Sequence, residues 1–260
     1  MIPTGFAGVE NQLWLWMIAM IRPGAAFLAA PIFGASFVPV QLRLVIALAI
    51  GIPALSATGF TLPPDGLASF AGLTLIGGEV MAGLALGFAI MLGFSAAQLG
   101  GEVIGNAMGL GFAAMVDPAS GHSNPVIGQF LSILATFLFL AVNGHLALAA
   151  TVVESYRALP PGHAWLSPES AHGLIMFGGV LFSAGLSIAL PVAFAIVLVQ
   201  IVMGVLARSA PQLNLFAVGF PAALLAGIVL LAMAAPVIAE GITNAMNLGI
   251  EQSHRIAVGG

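Results

Sequence analysis

The chain has 260 residues, 60% of them hydrophobic and only 5% charged, against about 25% charged in a soluble domain; so few charges cannot cover a water-facing surface, and the class is integral membrane protein. Its 5 basic residues are all arginine and face 9 acids, for a net charge of −4, which excludes the basic stripe of a nucleic-acid surface. Having no cysteine, it has no disulfides, thiolate metal sites or cysteine nucleophile.

The apolar runs are long and unbroken by the short alternation of a barrel, so the fold class is all-α. Residues 1–12 carry no basic group ahead of the first apolar run, and no cleaved signal peptide is expected. The first run, Leu13 to Phe33, has about spanning length. Arg22-Pro23-Gly24 interrupts it, because proline lacks a donor and disfavours helix in the residue before it. A kinked helix or a short loop between two half-length helices both fit. Pro39 precedes the second run, Val40 to Ile52, which holds Arg43 near its start. A polar connection follows, in which Asp65 suits a helix N-cap.

The third run begins near Leu67 and hardly pauses before Val116, too long for one span of about 20 residues. Gly77-Gly78-Glu79 and Gly100-Gly101-Glu102 are its weak points. From Ala85 to Ala113 every fourth residue is Ala or Gly, a spacing that lets helix backbones approach closely, although a chain this rich in small residues also produces such ladders by chance. The stretch Leu99 to Pro125 contains six glycines, and Asp117-Pro118 suits the first two positions of a type I turn. Irregular backbone at membrane depth is tolerated only when buried in protein or lining a cavity. The stretch is therefore either a water-exposed loop or a pliable apolar lining built from Met108, Gly109, Gly111, Phe112 and Met115, methionine adapting well to irregular shapes.

Asn124-Pro125 reads as a helix start. The fourth run, Val126 to Val153, contains Asn143-Gly144-His145 and ends at Glu154-Ser155-Tyr156-Arg157. Ser167-Pro168-Glu169 repeats the start signal. The fifth run, Ala171 to Ala207, holds Pro191 and fits two segments or one kinked helix. A polar break from Arg208 to Asn214 leads to the sixth run, Leu215 to Ile238, with Pro221 and Pro236, and a polar tail from Glu240 that starts helical and frays. The whole is one membrane domain of about six to eight hydrophobic helical segments.

Glu79 and Glu102 lie in or beside apolar runs, where an ionised group costs a few kcal/mol or more unless paired. Arg22 and Arg43 are the cationic candidates. A proton relay is the functional alternative to an ion pair, but no second acid stands three or four residues away to build one. Asn143 and His145 form a polar pair suited to an inter-helix hydrogen bond. The histidines lack metal-ligand spacing, the serines lack a nucleophile elbow, and no phosphate-cradling glycine loop occurs, so neither an enzyme, a metal site nor a cofactor is expected.

Several blocks carry a family resemblance. Gly101-Glu102-Val103-Ile104-Gly105, then Gly109-Leu110-Gly111-Phe112-Ala113 into Val116-Asp117-Pro118, resemble the signature of FliR-type subunits of the flagellar protein export gate and of their virulence type III secretion counterparts. Arg22 with Gly24 to Phe27, the block Ala30-Pro31-Ile32-Phe33-Gly34, and Val38-Pro39 with Arg43 match the N-terminal pattern. Phe139-Leu140 with Asn143-Gly144-His145, and Ala210-Pro211-Gln212-Leu213-Asn214 with Phe216 to Pro221, match later blocks in the same order. The resemblance implies long bent helical hairpins, a FliP-like part over residues 1–207 and a FliQ-like part over 208–260. It implies assembly with FliP-like, FliQ-like and FlhB-like subunits in the bacterial inner membrane at the flagellar basal body, forming a channel for unfolded flagellar proteins. Met108, Gly109, Gly111, Phe112, Met115, Asp117 and Pro118 would then belong to a plug loop. Arg22, Arg43, Glu79, Glu102, Asn143, His145, Arg157, Arg208, Gln212 and Asn214 would make structural polar contacts, shielded by partner chains and lipid. The alternative is a secondary transporter with discontinuous helices at Arg22-Pro23 and Gly100-Gly101.

Overall fold

A computed structural model describes residues 7–64, 66–111, 125–209 and 215–259. Among these there are seven α-helices and no strand: α1 Ala7–Ala29, α2 Val40–Ser56, α3 Phe70–Ala107, α4 Val126–Ala141, α5 Gly144–Ala158, α6 Pro168–Ser209 and α7 Leu215–Ala257. Four of them, α1, α3, α6 and α7, are long and apolar enough to cross a membrane, or five spans if α4 and α5 count as one. The protein is all-α and membrane-type.

The over-long runs are not divided where glycine and proline suggested. α3 passes through Gly77-Gly78 and Gly100-Gly101 over 38 residues, and α6 passes through Pro191 over 42. α7 carries the polar tail to Ala257 as 43 residues of one helix, so the tail is ordered and does not fray before that point. α1 is likewise continuous through Pro23. The missing proline donor leaves the Ala19 carbonyl without its helical partner, and that oxygen accepts instead from the Tyr156 hydroxyl at 3.4 Å. The fourth run divides at Asn143, which takes a left-handed φ of 57° between α4 and α5. Arg22-Pro23 and Gly100-Gly101 lie inside unbroken helices, so neither is a helix discontinuity.

Two helix starts carry side-chain caps. Ser69 caps α3, its hydroxyl oxygen accepting from the Gly72 amide at 3.1 Å; Asp65, expected in that role, lies outside the described residues. Ser167 caps α6 through the Ser170 amide at 3.0 Å, with Pro168 at the first helical position. Pro125 stands just before α4, its carbonyl accepting from Gln129 at 2.8 Å; Asn124 lies outside the described residues.

The chain forms two compact units. The first takes residues 1–92, 142–178 and 247–260, and in it α3 lies directly on α1. A Cβ added at Gly83 would stand 2.3 Å from the Arg22 carbonyl oxygen, and one at Gly87 2.1 Å from that of Ala26. Two glycines four residues apart thus face two residues four apart on the neighbouring helix, the small-residue contact of membrane helices. Gly51 of α2 lies equally close to Ala19 of α1. The end of α7 closes the other side of α3: Gly249 faces Ala89 and Ile90, and the buried Ser253 hydroxyl donates to the Leu86 carbonyl at 2.9 Å.

The second unit takes residues 93–141 and 179–246. Here Gly101 of α3 meets Gly128 of α4, with a Cβ on Gly101 only 2.6 Å from the Gly128 Cα. Gly100 faces Gly185 and Ile188 of α6, and Gly185 faces Ala96 and Leu99 in return. The glycine pair Gly100-Gly101 is a contact surface for two other helices and does not break α3. Ala89 and Gly101 of the fourfold ladder make close backbone contacts, whereas the tightest α1 contacts, at Gly83 and Gly87, lie two residues off it.

Gly87→Ala is expected to lower the stability of the detergent-purified chain by about 1–3 kcal/mol through overpacking. Gly178→Ala, where a Cβ meets nothing within 4 Å, should be neutral or slightly stabilising in the same thermal unfolding assay. Equal behaviour of the two variants would refute the close approach of α1 and α3.

Candidate functional site: a buried arginine cluster and the end of α3

Arg22 sits in the middle of an apolar helix and is fully buried, as is Glu79 of α3. Arginine brings five donors in a planar fork that matches a carboxylate bidentately. Arg22 Nε donates to Glu79 Oε2 at 2.9 Å and Nη2 to Oε1 at 2.6 Å. Nη1 donates to the Ser155 hydroxyl at 3.1 Å, and Nη2 also to the Leu159 carbonyl at 2.7 Å. Ser155 passes its own proton to the Val152 carbonyl. The guanidinium lies 4.0 Å from the centre of the Tyr156 ring, where the aromatic face attracts a cation. Four of the five donors are used, and both carboxylate oxygens are engaged. Such saturation is what a buried pair needs to offset desolvation of two charges.

The cluster joins α1, α3 and the end of α5. Leu159 caps the end of α5, and its carbonyl accepts a donor supplied from another helix by Arg22. Gly77 and Gly78 give clearance on α3 for Trp165 and Ala164, which approach a Cβ position at these glycines to 3.4–3.6 Å. The loop after α5 therefore lies flat beside Glu79. Chemically the cluster fixes three segments together; it presents no free acid or nucleophile. Ser155, Tyr156 and the Leu159 carbonyl are the partners that reading the sequence missed. Their only signal was a serine–tyrosine pair closing an apolar run.

The other polar residues take different places. Arg43 does not reach an acid: Nη2 donates to the carbonyls of Ala35 and Val38. Glu102, half-buried, accepts from Gln98 one turn back at 3.0 Å. Asn143 is exposed, and the His145 Nδ1 is buried without a hydrogen-bond partner among the described residues. Arg157 and Arg208 are exposed, and neither is in an ion pair among the described residues. Gln212 and Asn214 lie outside the described residues. No group of acids, histidines or cysteines among the described residues could hold a metal ion.

The end of α3 is built with equal care. Gly109 takes φ 84°. Its amide donates to the Asn106 carbonyl at 3.0 Å, and the Leu110 amide to the Gly105 carbonyl at 3.0 Å. This pair of bonds is the Schellman motif, in which a left-handed residue after the helix lets the chain turn back on its last carbonyls. Gln200 of α6 satisfies the Ala107 carbonyl at 2.7 Å. Met108 is buried and seated against Gly227 of α7, where a Cβ would lie 2.6 Å from its Cγ and Cε. Gly111 faces the Asn106 side chain. Phe112, Met115, Asp117 and Pro118 lie outside the described residues.

Removing one member of the central pair, by Glu79→Ala or Arg22→Met, should cost about 3–5 kcal/mol by leaving a buried charge unpaired. The double variant Arg22→Met with Glu79→Leu should recover much of that loss. Additive losses in a double-mutant cycle of unfolding free energies would contradict the pairing.

Residues 13–249 match the family model described as bacterial export proteins, family 1. The chain is similar to the flagellar biosynthetic protein FliR of Escherichia coli (strain K12), 37% identical over 89% of this chain and 90% of the relative. It is similar to the FliR proteins of Pectobacterium carotovorum subsp. carotovorum, at 34% over 86% of each chain, and of Bacillus subtilis (strain 168), at 28% over 91% and 92%. The arginine cluster, the glycine-packed helices and the capped end of α3 are thus features of a chain that belongs to the bacterial export proteins, family 1, the family of flagellar biosynthetic protein FliR.

Proposed function

We propose that this protein is a subunit of the flagellar type III protein export gate in the bacterial inner membrane, at the flagellar basal body. The family match over residues 13–249 carries this reading, with the flagellar names of its relatives beside it. In it the chain joins FliP-like, FliQ-like and FlhB-like subunits, and unfolded flagellar proteins pass through the channel they form. A FliP-like part over residues 1–207 and a FliQ-like part over 208–260 describe the order of the chain; both spatial units draw on both parts.

The uncovered surface supports an assembled state. Only 22% of the most apolar window of α6 and 17% of that of α7 are buried within the chain. Phe182, Phe194, Ile201, Leu225 and Met233 stand exposed. Contiguous apolar surface of this kind requires lipid or other apolar chains. The plug role falls to residues 109–121. The Schellman turn at Gly109 fixes the direction in which the chain leaves α3, and the buried Met108 anchors that exit. Glu102 and the other polar residues serve structural contacts, and no catalytic step is assigned to this chain.

Co-expression with FliP-like and FliQ-like subunits should yield a defined hetero-oligomer on purification. A stable monomer that ignores both would overturn the assignment. In the assembled complex, deleting residues 112–121 while keeping the Gly109 cap should raise ion conductance across a planar bilayer, and Gly111→Pro should act in the same direction. Unchanged conductance in both variants would remove the plug from the reading.

A further inference from the structure

The connection between α1 and α2 carries two local costs that the export role leaves unexplained. Ile32 has φ 67°, a left-handed conformation that is a true outlier for a β-branched residue. The Phe33 amide donates to the Pro31 carbonyl at 2.8 Å across it. That bond closes a three-residue turn of the rare, strained hand. A few residues on, the Nε of Arg43 is buried with no hydrogen-bond partner among the described residues. An unmade bond to a buried donor is itself unfavourable.

Strained backbone persists only where its surroundings over-determine it, and here the restraints can be named. Arg43 Nη2 grips the carbonyls of Ala35 and Val38. The Gly34 amide bonds the Ala30 carbonyl at 3.1 Å, and a Cβ at Gly34 would stand 2.4 Å from the Leu28 carbonyl oxygen. Phe33 stacks edge-on against Phe27 with ring centres 4.9 Å apart. Among these restraints only the arginine reaches back from α2. At the tip, Phe37 is 76% exposed.

We propose that the Pro31–Val38 connection is a latch with two states. In the described state Ile32 is held left-handed by Arg43. In the other, Arg43 releases the Ala35 and Val38 carbonyls, Ile32 relaxes to negative φ, and the tip bearing Phe37 moves. Release relieves both local costs at once, the left-handed isoleucine and the unpartnered Nε. The latch requires that Ile32 and Arg43 act on one equilibrium: weakening the grip favours release, and removing the strain opposes it.

The absence of cysteine allows a single nitroxide label at Phe37→Cys in the full chain, reconstituted in lipid nanodiscs. The otherwise unchanged chain should give one dominant spectral component. Arg43→Gln should raise the population ratio of a second, more mobile component by about tenfold, the scale of one charge-assisted hydrogen bond lost from the grip. Adding Ile32→Gly, which suits positive φ, to Arg43→Gln should return the spectrum to the single component. Ile32→Gly alone should increase hydrogen-exchange protection of the amides of residues 33–38, a reading that does not depend on the arginine variant folding. An unchanged spectrum in Arg43→Gln, failure of Ile32→Gly to restore it, or lower protection in Ile32→Gly alone would each overturn the latch.

Discussion

A charged guanidinium at the centre of an apolar helix has few stable solutions, and much of the first unit is arranged to supply one. Arg22 needs a carboxylate, so Glu79 must sit opposite it on α3. α3 comes near enough only because Gly83 and Gly87 have no side chain to hold it off α1. The remaining donors need oxygens, and the end of α5 provides the Ser155 hydroxyl and the Leu159 carbonyl. Tyr156 covers the face of the fork and reaches the carbonyl that Pro23 leaves free one turn earlier. A proline, two glycines and a serine–tyrosine pair, scattered over more than a hundred residues, thus answer the demands of one charge.

The same economy of backbone contact governs the second unit. Gly101 on Gly128, and Gly100 with Gly185, bring helices together at distances where main-chain atoms touch. Without water to compete and with lipid as apolar as leucine, such contacts gain stability from packing at short range and not from burying apolar area. Glycine therefore marks where helices meet. Its usual cost inside a helix is offset by the neighbour it admits.

The sequence made the class plain, since 5% charge and long apolar runs leave no soluble alternative. Ser167-Pro168 was readable because capping is local. The placement of helix ends within long runs was not: Gly77-Gly78 and Gly100-Gly101 look like breakers to a local reading, whereas Trp165, Gly128 and Gly185 turn them into contact points. Glu79 was legible as a residue in need of a cation, and Arg22 as one of two on offer, but nothing local distinguishes Arg22 from Arg43. Ser155 lies 133 residues from Arg22, and no spacing rule links them. The bond from Gln98 to Glu102 was within reach of an i, i+4 rule, had amides been considered beside acids. Phe112, Met115, Asp117 and Pro118 lie outside the described residues.

The first unit is also discontinuous along the chain, and that sets an order of assembly during synthesis. The Arg22–Glu79 pair needs only the first third of the chain, and its Ser155 and Leu159 partners the next. The groove of α3 at Leu86 to Ile90 stays open until the segment holding Gly249 and Ser253 has left the ribosome and returned to it. A prematurely ended product therefore leaves the Leu86 carbonyl without the Ser253 donor and the backbone at Ala89 and Ile90 uncovered.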